Sequence, residues 1–164
     1  MKPEIHARSS AWRSRPTPEP HAAIRVARRF RASPARVFEA WLDPAIARRW
    51  LFATATCPIE QMQIDARVGG SFRFVEQRYG EDVSYRGEYT EISPHRRLSF
   101  ILATDRDRHL VTRVCVDVSP LKSDGSALTL VHQDVPRQHA SHTRARWIGM
   151  LYGLGATLDL LALS

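Results

Sequence analysis

His132 is the residue of this sequence best placed to do chemistry. In the run Leu128 to Asp134, strand alternation puts Leu128, Leu130, His132 and Asp134 on one face. An imidazole on an apolar face needs a partner, because an unsatisfied buried polar group costs about 1–3 kcal/mol. Asp134, Glu76 and Tyr85 are the residues expected to reach it. Three roles are open: a satisfied core histidine, a contact to a bound ligand, or a general acid/base, for which an ordinary pKa of about 6.5 is suitable. His139 and His142 are spaced to pair on a helix as metal ligands. They fall at a helix start, however, where exposed polar residues belong, so no metal is expected. The sequence has no Gly-x-Ser-x-Gly elbow, P-loop or HExxH motif. His132 is therefore the sole catalytic candidate, and no cofactor is expected.

The elements that must position such a face are organised around the C-terminal end. Trp147, Leu151, Leu154, Leu158 and Leu161 follow one another at steps of four and three, which stacks them on one side of an α-helix over 143–163. At about 1.5 Å per residue, a helix of that length spans roughly 30 Å, the width of a small domain. An apolar stripe of this kind must be covered. The upstream chain reads as strands, so the cover is a sheet.

The strands are predicted at 22–31, 55–64, 71–78, 83–92, 97–103, 110–118 and 127–134, each with an apolar face. Ser33-Pro34 reads as an N-cap followed by proline at the first helical position, with Val37, Phe38, Trp41 and Leu42 at helical spacing behind it. Asp43-Pro44 ends that helix and starts another, over 45–50. Val68-Gly69-Gly70, Ser93-Pro94-His95 and Lys122 to Gly125 are turns. The expected architecture is α+β: a curved antiparallel sheet of six to seven strands wrapped around a long C-terminal helix, with two short helices after strand one. Residues 1–20, with Pro3, Pro16, Pro18 and Pro20, read as a disordered or loosely packed tail carrying a lone Trp12, and 21–164 as one domain.

The formal charge of +7 over 164 residues invites a nucleic-acid reading. The pattern argues against it. Lys2 and Lys122 are the only lysines, and the arginines are scattered through strands among acids. No apolar run reaches the ~18–20 residues that cross a membrane, and no secretory signal precedes the strands. Cys57 and Cys115 lack metal-ligand spacing and read as reduced thiols in a cytoplasmic protein.

Several blocks sharpen the fold. Ser33-Pro34-Ala35-Arg36-Val37-Phe38-Glu39-Ala40-Trp41-Leu42-Asp43-Pro44, then Arg49-Trp50, resembles the opening of the SRPBCC (START/Bet v 1-like) superfamily. Within it, the chain resembles the family related to the activator of Hsp90 ATPase C-terminal domain. Arg67 to Phe74 resembles its glycine-glycine turn, Arg86 to Leu98 its next block, and Leu128 to His132 and Trp147 to Leu151 its last strand and closing helix. The likeness covers about residues 22–162. Two places depart from it: Leu51-Phe52 stands where the family has Gly-Pro, and Tyr152-Gly153 and Gly155 stand where it has charges. The resemblance implies a helix-grip fold. It also implies one of several functions, since superfamily relatives bind lipids, hormones or polyketides, and some are cyclases or hydrolases. It does not imply Hsp90 binding.

The expected function is binding of a small hydrophobic or aromatic ligand in a cavity between sheet and helix, without catalysis. Trp50, Phe72, Phe74, Tyr85, Phe100, His132, Trp147 and Leu151 are the candidate ligand-binding residues. The alternatives are a cyclase- or hydrolase-type enzyme using His132 and a co-chaperone-like interaction module. On the far side of the helix, Gly149, Gly153, Ala156 and Leu160 form a face without charge, which a second subunit or the tail would cover.

Overall fold

The computed structural model describes residues 20–53 and 59–163. Strand β1, His21–Phe30, is followed by helices α1, Pro34–Glu39, and α2, Pro44–Ala47. Six further strands follow: β2 Ile59–Ile64, β3 Ser71–Arg78, β4 Glu81–Ser93, β5 Arg97–Thr104, β6 Asp107–Pro120 and β7 Ser126–Pro136. A short 3-10 turn, Arg137–His139, leads into the long helix α3, Ala140–Ala162. The strands form one antiparallel sheet in the order β1-β7-β6-β5-β4-β3-β2. The chain thus meanders from β2 to β7, and β7 then pairs with β1.

Local signals set these boundaries. Ser33 Oγ accepts from the Arg36 amide at 3.3 Å, with Pro34 opening α1, and Asp43 Oδ1 accepts from the Ala45 amide at 2.9 Å, with Pro44 opening α2. Helix α3 begins three residues before the expected Thr143, because the 3-10 turn runs straight into it. The first part of the strand expected over 55–64 lies outside the described residues, as do Cys57 and residues 1–19, including Trp12.

Register shifts in the β1–β7, β2–β3, β4–β5 and β5–β6 pairs bend the sheet, as bulges do. The concave side faces α3, whose Trp147, Met150, Leu151, Leu154 and Leu158 are buried against it. Leu161, expected on the same stripe, is half-buried near the helix end. Polar contacts fix the helix in place: the Arg144 guanidinium donates to the Arg25 carbonyl at 2.6 Å, and Arg36 donates to the Leu158 carbonyl at 3.0 Å.

Two expectations need correction. Asp134 does not share the face of His132. Its φ of +64° breaks the alternation of β7, so Asp134 turns to solvent and Val135 is buried instead. Gly153 does not belong with the exposed residues of α3. A β-carbon there would lie 3.7 Å from the Trp50 β-carbon, so it faces the segment just after α2, whereas Gly149 has open space around it.

Candidate functional site

The concave face and the first half of α3 border a half-open cavity of about 200 Å³. Leu102, Leu110, Val135, Trp147, Met150 and Phe52 supply its apolar wall. β5, β6 and β7 contribute the sheet side, and α3 contributes Thr143, Arg146, Trp147 and Met150 at helical steps. His139 and His142 stand exposed at its edge. Among the described residues, no three His, Cys, Asp or Glu side chains lie together to hold a metal.

His132 sits in a continuous hydrogen-bond chain. The Trp147 indole N–H donates to His132 Nδ1 at 2.9 Å. Indole nitrogen only donates, so Nδ1 carries no proton and the neutral ring holds its proton on Nε2. Nε2–H then donates to Thr112 Oγ1 at 2.8 Å, and the Thr112 hydroxyl donates to the Leu102 carbonyl at 3.3 Å. Burial pushes the imidazole pKa down to about 4, partly offset by the negative charge of Asp134. Protonating Nδ1 would require breaking the bond from Trp147. Both ring nitrogens are therefore committed inside the protein.

A second polar cluster borders the same cavity. Glu76 is fully buried, on the concave face of β3 with Phe72 and Phe74. The Tyr85 hydroxyl donates to Glu76 Oε2 at 2.8 Å and accepts from Arg146 Nη1 at 2.9 Å. Arg78 Nη2 bridges the two Glu76 oxygens at 3.1 and 3.4 Å. Arg146 Nη2 lies 3.6 Å from Glu76 Oε2, too far for a hydrogen bond, and finds no acceptor among the described residues. Burial raises the Tyr85 pKa, opposed by the charge of Arg146, so the phenol stays protonated and can donate.

Phe52 closes the wall beside this cluster. Its ring stacks on Tyr85 with centroids 4.5 Å apart and planes 7° from parallel. Its backbone is left-handed, with φ +58°, which disfavours a bulky side chain. The Phe52 amide donates to the Met150 sulfur at 3.1 Å, tying this conformation to α3.

Three of the eight expected ligand residues, Tyr85, His132 and Trp147, line the cavity. The other five pack beside it. Phe72 stacks on Phe74 at 5.1 Å and meets Phe100 edge-on at 5.3 Å. Trp50 meets Trp41 edge-on at 4.6 Å and donates to the Ala40 carbonyl at 3.1 Å, while Leu151 is buried under α3. Sequence reasoning missed Phe52, Thr112, Arg146 and Met150. The helical steps from His139 and Thr143 through Arg146 to Met150 carried a signal for two of them. Thr112 was visible on the inward face of β6 with Val114 and Val116.

A curved seven-stranded antiparallel sheet gripping one long helix, with a cavity between them, defines the helix-grip class of α+β proteins. The family model for the Activator of Hsp90 ATPase homolog 1-like protein matches residues 31–159, and the chain belongs to that family. No curated protein matches the sequence. Among solved structures, a Chromobacterium violaceum protein is 27% identical with a TM-score of 0.75, covering 82% of this chain and 95% of its own. An Activator of Hsp90 ATPase homolog 1-like protein from Aeromonas hydrophila is 21% identical with a TM-score of 0.74, covering 87% and 96%. A Staphylococcus aureus protein of unknown function is 14% identical with a TM-score of 0.77, covering 88% and 97%. The last two likenesses bear on the fold alone. No described helix is long and apolar enough to cross a membrane.

Proposed function

We propose that the protein binds a small hydrophobic, aromatic ligand between the sheet and α3, as a non-catalytic carrier or sensor. The carrying observation is the cavity: mostly apolar walls with a few convergent polar groups, the composition of small-molecule sites. Its volume of about 200 Å³ is below the roughly 300–1,000 Å³ of drug-sized sites, so the ligand is a single-ring compound. Trp147 and the Phe52–Tyr85 stack offer aromatic faces to such a ring. The cyclase or hydrolase reading ranks below it, because His132 would have to give up Trp147 or Thr112 to exchange a proton.

The test is the melting temperature against a library of small apolar and aromatic metabolites. A native-state ligand stabilises by RT ln(1 + [L]/Kd), about 2.7 kcal/mol at a hundred-fold excess over Kd. A saturable shift from one chemical class supports the proposal. No shift from any compound rejects it and favours the protein-interaction reading.

The proposal includes a partner. Gly149, Ala156 and Leu160 are exposed on α3 beside Ile148 and Tyr152, which are 47% and 66% exposed. A symmetric contact between two copies would cover this apolar face. Light scattering is expected to give a dimer; a monomer at all concentrations removes this part.

A further inference from the structure

Among the described residues Arg146 is the one Lys, Arg, Asp or Glu side chain on the cavity wall, and its buried Nη2 lacks a hydrogen-bond partner. Glu76, the nearest carboxylate, is already occupied: Oε2 accepts from Tyr85 at 2.8 Å, and both oxygens accept from Arg78. Arg146 therefore reaches it only at 3.6 Å, outside hydrogen-bond range. The Tyr85 hydroxyl, which takes one Arg146 bond, is neutral. A guanidinium offers five N–H donors and matches a carboxylate in a two-pronged geometry. Here it stands at the border of an apolar, half-open space, where an oppositely charged group is held more strongly than on the open surface.

Resting on the proposed binding role of this cavity, we infer that its ligand is a small organic acid: one ring against Trp147 and Phe52, and a carboxylate received by Arg146. The apolar part supplies burial, and the acid group supplies selectivity. A neutral amide of the same shape keeps one acceptor oxygen but loses the second and the negative charge that a guanidinium pairs with, so it is the weaker ligand. Glu76 and Arg78 act behind this contact: through the Tyr85 hydroxyl, Glu76 holds the Arg146 guanidinium in one orientation. His139 and His142 also stand at the cavity edge, and the test separates their contribution from that of Arg146.

The experiment is calorimetric titration of the full chain near neutral pH with matched pairs: benzoate against benzamide, and 3-phenylpropanoate against 3-phenylpropanamide. The acids are expected to bind at least roughly ten-fold more tightly than their amides. Arg146→Gln is expected to abolish that preference while amide binding persists, Arg146→Lys to restore part of it, and a His139→Gln/His142→Gln double variant to keep it. Equal binding of acid and amide overturns the acid inference and leaves the cavity reading standing. An acid preference that survives Arg146→Gln also overturns it. Binding by neither member of either pair overturns both readings. If Arg146→Gln does not fold, Arg146→Lys and the histidine double variant carry the assignment: an acid preference unchanged in Arg146→Lys, or lost in the histidine variant, overturns it.

Discussion

Trp147 on α3 donates its indole N–H to Nδ1 of His132 on β7 across 2.9 Å, and this bond fixes both the tautomer of the histidine and the seat of the helix. The histidine that looked most capable of chemistry in the sequence is thus a relay of hydrogen bonds from helix to sheet.

Heteronuclear NMR of the imidazole is expected to show the Nε2–H tautomer near neutral pH. Trp147→Phe keeps an aromatic ring but deletes the donor together with part of the buried indole, leaving a buried acceptor unpaired. The expected loss is about 1–3 kcal/mol, read as a lower denaturant midpoint with an unchanged slope. An Nδ1–H tautomer would contradict the assignment.

Stability is expected to fall with acid through this residue. The folded pKa of His132 is about 4, below the unfolded value of about 6.5. Between these values the unfolded chain binds a proton that the folded protein refuses, so stability declines as pH falls through this window and the decline stops below about 4. The shift corresponds to about 3 kcal/mol. His132→Gln removes the titration, and its stability profile across the window should be flatter than that of the wild type by about this amount. Parallel profiles would contradict the assignment.

Glu76 anchors the second cluster. Glu76→Gln keeps the shape and removes the charge that Arg78 and Arg146 face. Loss of one partner from a buried pair costs about 3–5 kcal/mol, and because both guanidiniums are partly wetted the lower end is expected. Urea denaturation measures this. A change below about 1 kcal/mol, the range of exposed pairs, would mean that the cluster is electrostatically idle.

Phe52 sets the size limit of the cavity. Phe52→Ala removes the ring stacked on Tyr85 while keeping a side chain in the left-handed position. Truncating a buried phenylalanine is expected to cost about 3–5 kcal/mol, and the enlarged cavity should accept two-ring compounds that the wild type excludes. Thermal shifts with naphthalene-sized probes check this: equal exclusion by both proteins would place the limit elsewhere.

Much of the fold was legible because its signals are local. Ser71–Arg78 was delimited by its alternation and by the Gly69-Gly70 turn before it, and Ser33-Pro34 and Asp43-Pro44 announced their helices through cap and proline chemistry. The cavity was less legible. Which aromatic residues face an open space depends on where α3 stands off the sheet, so Phe72, Phe74 and Phe100 share a face with Tyr85 yet pack into the core. The bulge at Asp134 reversed a pairing that alternation predicted, since one left-handed residue shifts every later side chain to the other face. Phe52 was visible only as a departure from the family's Gly-Pro.

The central claim is that a small molecule occupies the space between β5–β7 and α3. Amide and indole NMR spectra, recorded while titrating the compound that gives the largest thermal shift, test it most directly. The account predicts saturable shifts of the Trp147 indole N–H and of the Thr104, Thr112 and Thr143 amides, all on the cavity wall. Shifts confined to the outer face of α3 or the convex side of the sheet would contradict it.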